Sequence, residues 1–465
     1  MLITGAEIGG RAPLDLRCAG GRIDAIAASL SPEGDEEVIH ASGGALLPGL
    51  HDHHIHLLAL AAALRSVRCG PPQVNDRAAL ARALAEARPQ KRWIRGVGYH
   101  ESVAGELDRW VLDTLVSARP LRIQHRSGAM WILNSAAVEI LGLDDDGPSG
   151  VERDLRGHAT GRLFRCDRWL RERLDDDGHP NLAEAGRLLA SFGVTGLTDA
   201  GPANTDDDLD EFIEAVVSGA LPQRLQVMGS PSLSWPDHPR VSRGAVKVLL
   251  DDCALPSLDE LEATVAEAHR QDRGVAIHCV TRVQLVLAAR ALESAGAGQG
   301  DRIEHASVAP PEVVTLLSRL PLTVVTQPGF VYERGDVYLG DVEHGELPWL
   351  YRCRGFIEAG IALAAGTDAP FGEPDPWLAM RAAVRRRTRA GAELGPEEAL
   401  DPEQALALFT SSAQAPGAAP RRLGVGEPAD LCLLDRPWAE AREELSASMV
   451  RATVCRGRLV WTRPG

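Results

Sequence analysis

Leu46-Leu47-Pro48-Gly49-Leu50-His51-Asp52-His53-His54-Ile55-His56-Leu57 is the stretch from which the rest of the chain is best read. A short apolar run with strand character ends in Pro-Gly, and four histidines and an aspartate then crowd positions 51–56. His54 and His56 are two residues apart, so on extended backbone both imidazoles point to the same face. Two imidazoles side by side at a strand end can grip one divalent ion, and imidazole suits zinc and its first-row neighbours. A histidine cluster on a surface loop would need no metal. This one has apolar flanks, and compatible ligands recur downstream at strand ends.

The 465 residues can bury a large core, in two or three domains or in one barrel with additions. A hydrophobic content of 45% with 25% charged residues is ordinary for a soluble globular protein. The net charge of −16 argues against nucleic acid or an anionic membrane as the main partner. No apolar run approaches the roughly 20 residues of a membrane span, and no basic head with an apolar core marks a signal peptide. The expectation is a cytoplasmic enzyme acting on a small molecule. The eight cysteines are scattered without a C-x-x-C pair, which predicts reduced, buried thiols. Only Cys279 stands beside a candidate ligand, and packing is the expected role there too.

Of 49 basic residues only two, Lys91 and Lys247, are lysine. An amine can lose its proton near neutrality and form a covalent adduct, which guanidinium does not do. Lys91 lies in a polar stretch and is expected to face solvent. Lys247 lies in Ala245-Val246-Lys247-Val248-Leu249-Leu250, a strand-like apolar run where a lone ammonium is costly unless paired or modified. An ion pair with Asp251 or Asp252 is the bland alternative.

Alternation and Gly turns over residues 1–47 predict a small antiparallel sheet, and residues 429–435 and 450–461 give further strand patterns. Neither end can bury a core alone, so the two are expected to form one discontinuous β-sandwich from residues 1–47 and 419–465. Between them, apolar runs alternate with Ala/Leu/Arg/Glu-rich helical patterns at 76–87, 181–192, 207–217, 257–271 and 282–295. Strand-like runs fall at 196–199, 224–228, 246–250, 275–278, 302–305, 322–326 and 361–366. With an opening strand near Leu46 these make about eight, which predicts an α/β fold: a (β/α)8 TIM-type barrel over residues 48–418. Residues 60–185 are too many for one connection. They read as a subdomain inserted after the first barrel strand and placed to cap the site.

His278 and His305 each close a strand-like run, and Asp368 follows Ala364-Ala365-Gly366-Thr367. Side chains at the C-terminal ends of barrel strands face the active site. A strand-end histidine is often only a hydrogen-bonded core residue, and Asp before Ala-Pro is an ordinary turn starter. Joined with His54, His56 and Lys247 in this order, they fit a site for one or two divalent metal ions, zinc foremost. A carboxylated Lys247 could bridge two of them. An aspartate beside a metal-activated water can take its proton and pass it to a leaving group, chemistry that suits hydrolysis of a C–N bond.

Pro48-Gly-x-x-Asp52-x-His54-x-His56 resembles the opening signature of the amidohydrolase superfamily. Other segments are similar to the YtcJ-like branch of that superfamily: Trp131-Ile-Leu-Asn134-Ser135-Ala136-Ala137, Thr160-Gly161-Arg162-Leu163, Val246-Lys247-Val248-x-x-Asp251, Arg302-Ile303-Glu304-His305-Ala306, Thr367-Asp368-Ala369-Pro370 and Pro428-Ala429-Asp430-Leu431. The resemblance covers nearly the whole chain. It implies metal binding by His54, His56, Lys247, His278, His305 and Asp368, with Asp368 also the proton-transfer residue, and it makes a homodimer reasonable. The chain departs from the branch in having Ala129 after Gly128 where Gly-His is usual. It also has Cys279-Val280-Thr281-Arg282 where Ala-x-Gly-Asp is usual. Tyr99, His100, Trp131 and Arg282 are the expected substrate contacts, in an altered pocket. His51, His53, His100 and His125 are expected to be solvated or to support the ligands. The resulting expectation is a hydrolase of an amide, N-formyl or N-acyl bond. The alternatives are a cyclic amide or ester hydrolase, a deaminase, and an idle scaffold.

Overall fold

A computed structural model describes residues 1–87, 93–174 and 181–464. Lys91 lies outside them. The described chain divides into two compact units, one formed by Met1–Leu57 with Leu182–Gly465 and the other by Leu58–Asn181.

In the larger unit eight strands form one parallel sheet: β1 (Leu50–Ile55), β2 (Val194–Asp199), β3 (Arg224–Gly229), β4 (Val241–Leu249), β5 (Val275–Cys279), β6 (Arg302–His305), β7 (Thr323–Thr326) and β8 (Ala362–Ala365). Each strand pairs with the next in sequence, and the fold is a (β/α)8 barrel. Most strand residues are buried, polar ones included, because the barrel interior and the helices cover the two faces. Helices Asp206–Val217, Leu258–Arg270 and Arg282–Ala295 stand where the 3.6-residue pattern places them, each started by a capping box on Thr205, Ser257 or Thr281. Past the ends of β1 and β8 the seam is held by backbone bonds, Asp368 N–H to His54 O at 2.8 Å and His56 N–H to Ala369 O at 2.9 Å.

The apolar run read as the opening barrel strand is divided. Leu46–Pro48 pairs antiparallel with Leu431–Leu434 in a terminal sheet, and the barrel strand begins only at Leu50. Gly49 makes the crossing. A Cβ there would sit 2.3 Å from the Thr195 side chain, so only glycine lets the chain pass this close.

The terminal sheets are Arg22–Ala27, Arg11–Ala19, Leu2–Ile8, Val38–His40 in one and Arg458–Thr462, Val450–Cys455, Leu431–Leu434, Leu46–Pro48 in the other. Ile3, Leu16 and Ile23 of the first share one buried cluster with Leu46, Leu431 and Val454 of the second. That shared core makes the ends a discontinuous β-sandwich. The unit Leu58–Asn181 has its own six-stranded sheet and its own cores, one around Leu80, Tyr99 and Ile123 and one around Trp131, Leu133 and Leu163. All eight cysteines are free, seven of them buried and Cys253 exposed. No described helix is long and apolar enough to cross a membrane.

Candidate metal centre

β1 carries His54 as its next-to-last residue, and His56 follows it directly. His54 Nε2 lies 3.5 Å from Asp368 Oδ1, and His56 Nε2 lies 3.1 Å from the same oxygen. The three ligand atoms lie within 4.8 Å of one another. The His305 ring is 4.8 Å from that of His54 and 4.4 Å from that of His278. The structure thus gathers His54, His56, His278, His305 and Asp368 at the C-terminal ends of β1, β5, β6 and β8, from positions up to 314 residues apart.

Lys247 lies on β4 in register with Ala276 of β5, and Leu249 opposes His278. Its side chain is buried, and Nζ has no hydrogen-bond partner among the described residues. The alternative of a pairing with Asp252 is not what is observed, since Asp252 Oδ1 accepts from Gln284 Nε2 at 2.9 Å and Thr281 Oγ1 at 3.1 Å. Burial pushes the Lys247 amine below its ordinary range, with Glu304 working the other way.

His54 Nε2, Lys247 Nζ and Asp368 Oδ1 are three buried polar atoms without a partner, all converging here. Such atoms are costly in a dry interior, and a cation bound among them would satisfy the acceptors. Burial first, and neighbouring positive groups second, hold the His54 and His305 imidazoles well below their usual pKa, so both are neutral. Neutral imidazole is the ligating form. Two nitrogens and a carboxylate oxygen at this spacing fit zinc or a first-row relative.

Supporting contacts fix the orientation of these groups. His54 Nδ1–H donates to Glu304 Oε2, which leaves the Nε2 lone pair facing Asp368. Arg302 Nε donates to Glu304 Oε1 at 2.7 Å, and its Nη2 reaches His53 O at 2.7 Å. His305 Nδ1 pairs with Gln327 Oε1 at 2.7 Å. Asp52 accepts from Thr367 N at 3.0 Å, Thr367 Oγ1 at 2.5 Å and His54 N at 3.1 Å, tying β1 to the residue before Asp368. Burial pushes the Asp52 carboxyl up to about 7 against those bonds. His305 and Asp368 both adopt positive φ, at 69° and 56°. Left-handed backbone at non-glycine residues costs about 1–3 kcal/mol each and is typical of functional positions. Glu304, Arg302 and Gln327 carry no signal of their own in the sequence beyond the Arg-Ile-Glu-His run.

The remaining histidines and the expected substrate contacts each have near neighbours of their own. His51 Nε2 pairs with Thr198 Oγ1 at 2.9 Å and His53 Nε2 with Ser411 Oγ at 3.1 Å, so both are buried rather than solvated. Arg282 is about half exposed and 3.8 Å from Glu346. Burial raises the Cys279 thiol, which leaves it an inert packing group. Within the unit Leu58–Asn181, Tyr99 is fully buried with its hydroxyl donating to Gly105 O. Trp131 is also buried there, its Nε1 donating to Asp167 Oδ1 at 2.8 Å. His100 and His125 stack with centroids 6.1 Å apart, beside Glu101.

A (β/α)8 barrel with histidine and aspartate side chains gathered at its C-terminal mouth fits a class, the metal-dependent hydrolases built on this scaffold. The chain belongs to the amidohydrolase family, whose model matches residues 37–461. It is 28% identical to an N-substituted formamide deformylase from Arthrobacter pascens, over 96% of this chain and 94% of that one. It is 23% identical to the putative amidohydrolase YtcJ of Bacillus subtilis (strain 168), over 93% and 92%. Among solved structures it superposes on an uncharacterized metal-dependent hydrolase from Pyrococcus horikoshii OT3 with a TM-score of 0.72, at 20% identity over 94% and 96% of the two chains. A zinc complex of atrazine chlorohydrolase TrzN from Arthrobacter aurescens TC1 gives a TM-score of 0.56 at 19% identity, over 99% and 94%.

Proposed function

We propose that this chain is a metal-dependent hydrolase that cleaves the C–N bond of a small amide, with N-formyl and N-acyl compounds as the first class to test. One observation carries the reading: His54 Nε2, His56 Nε2 and Asp368 Oδ1 converge in the barrel mouth, two of those atoms buried without a partner. Likeness to a formamide deformylase over almost the full length of both chains supports the N-formyl class.

His54, His56, His278, His305 and Asp368 would hold one or two divalent ions, zinc first among them. The ion supplies Lewis acidity, which activates water and polarises the scissile carbonyl. Asp368 takes the proton of the attacking water and delivers it to the departing nitrogen, so the C–N bond breaks as an amine leaves and a carboxylate forms. Glu304 holds His54 in the ligating tautomer, and Asp52 fixes the backbone that carries Asp368. Burial, which favours the free amine of Lys247, suits it to take up carbon dioxide, forming an N–C bond and releasing one proton. As a carbamate Lys247 would add oxygen ligands to the set formed by His54, His56, His278, His305 and Asp368.

Elemental analysis of wild type and Lys247→Ala, purified without chelators, tests the centre. Two equivalents of metal in the wild type, falling sharply in the variant, are expected. Metal-loaded Asp368→Asn should keep its ion and lose at least about 100-fold in kcat on any N-formyl or N-acyl compound the wild type hydrolyses. No metal in the wild type even after reconstitution would sink the reading.

A further inference from the structure

Helix Gly329–Asp341 follows β7 and runs from the same end of the barrel as the metal centre. Phe330, Arg334 and Tyr338 recur on it at intervals of four, so they form one stripe along one face. The Arg334 guanidinium lies 3.8 Å above the Phe330 ring and donates through Nη2 to Phe371 O at 2.6 Å. Phe371 belongs to the turn that carries Asp368: its N–H donates to Asp368 O at 2.9 Å, and its ring is 5.3 Å from that of His56. The guanidinium is therefore clamped to the wall of the metal centre.

Its remaining donors, Nε and Nη1, make no hydrogen bond among the described residues, and the group forms no ion pair there. Tyr338 and Tyr351 stack beside it with hydroxyls 3.2 Å apart, and Phe330 packs edge-on to Tyr351. Burial works against the charge of Arg334, while Tyr338, Tyr351, Asp368 and Glu333 favour it. The neighbouring Glu333 forms no ion pair with it, and its Oε2 accepts instead from Glu373 N–H at 3.1 Å. A planar fork held flat on an aromatic ring, with two donors unspent, matches a carboxylate better than a neutral group.

We infer that Arg334, with the Tyr338 hydroxyl beside it, binds a carboxylate on the substrate, so that the preferred substrates are N-acyl or N-formyl compounds carrying a carboxylate near the scissile amide. The inference rests on the hydrolase reading for the word substrate, but the carboxylate site can be tested without turnover. Arg334 would act as a binding and orienting group, and its loss should appear in KM before kcat.

The test pairs an N-acyl amino acid with the same compound bearing a carboxamide in place of its carboxylate. Binding of both is measured calorimetrically to metal-loaded wild type, Arg334→Met, Arg334→Lys and Tyr338→Phe, and hydrolysis of both is followed in parallel. Wild type should bind the carboxylate at least tenfold more tightly. Arg334→Met should bring that ratio near one, Arg334→Lys should keep part of it, and Tyr338→Phe should lower it by a few fold. Equal binding of the pair by wild type overturns the inference, as does a ratio unchanged in Arg334→Met. If Arg334→Met does not fold, the lysine and phenylalanine variants decide by the same ratio. Discrimination in binding with no hydrolysis of either compound upholds the carboxylate site and counts against the hydrolase reading.

Discussion

Glu304 accepts from His54 Nδ1 on one oxygen and from Arg302 on both, with no solvent contact on its own side chain. Its partner is 250 residues away in sequence, so no spacing rule connects the two. Glu304→Gln keeps a hydrogen-bond acceptor for Arg302 but removes the charge that fixes the His54 tautomer. Changes to such supporting groups typically cost about 10–100-fold in metal affinity. That loss is expected here, read by titrating metal against a competing chelator; unchanged affinity would make Glu304 a packing group. Glu304→Ala should be worse for the fold, because it leaves the buried Arg302 cation without its carboxylate, a loss of about 3–5 kcal/mol by analogy with other broken buried pairs. The histidines and Asp368 could be read from the sequence because strand-like runs end on them. Glu304 and Gln327 could not, since their meaning lies in a contact across the barrel.

At the scale of elements, the seam between β1 and β8 sets the geometry of the centre. Gly366 faces β1 so closely that a Cβ would lie 2.5 Å from His54 N and 2.7 Å from His54 Cα. Backbone cannot yield as a side-chain tip can, so Gly366→Ala must push the two strands apart. Overpacking of this kind costs about 1–3 kcal/mol. Thermal unfolding should show that loss, and metal retention should fall with it because His54 and Asp368 sit on opposite sides of the seam. A stable variant with full metal content would show the seam to be pliant.

The terminal sheet holds a different device. Arg17 Nε and Nη2 donate to Glu36 at 3.2 and 2.8 Å, and Nη1 reaches Glu33 at 2.7 Å. Hydrogen bonding from Arg17, then from the Glu33 backbone, holds the Glu36 carboxyl down at about 2. A depressed folded-state pKa contributes stability above the ordinary glutamate range near 4.5, and that stability is lost as pH falls toward about 2. Urea midpoints of wild type and Glu36→Gln should therefore differ at neutral pH and converge through this window. A difference that persists below it would point to packing.

At the scale of the whole molecule, the barrel was legible because several βα units leave a local trace: a short apolar run, a capping residue such as Thr205, Ser257 or Thr281, then a 3.6-residue period. The sandwich was legible in outline from strand patterns at both ends. The break at Gly49 was not, since Leu46-Leu47-Pro48 and the residues after it read as one run, and only the approach of Thr195 separates them. That break joins the sandwich to the strand that carries His54. Leu46–Pro48 is zipped to Leu431–Leu434, Gly49 N–H donates to Asp430 O at 2.8 Å, and β1 starts one residue later. The strands Val450–Cys455 and Arg458–Thr462 complete the sheet that anchors this entry. Deleting residues 450–464 would strip the outer partner from Leu431–Leu434 and uncover a core containing Leu431, Leu433 and Ile3. Burial of side chains of this size is worth about 1.5–3 kcal/mol each, so uncovering several of them removes much of a typical folding stability. Limited proteolysis should then cut near the Leu46–Pro48 junction before it cuts the barrel helices. Metal should be released at a lower urea concentration than in the full chain, even though no candidate ligand has been removed. Loss of metal only together with global unfolding, at an unchanged midpoint, would show that β1 is held by the barrel alone.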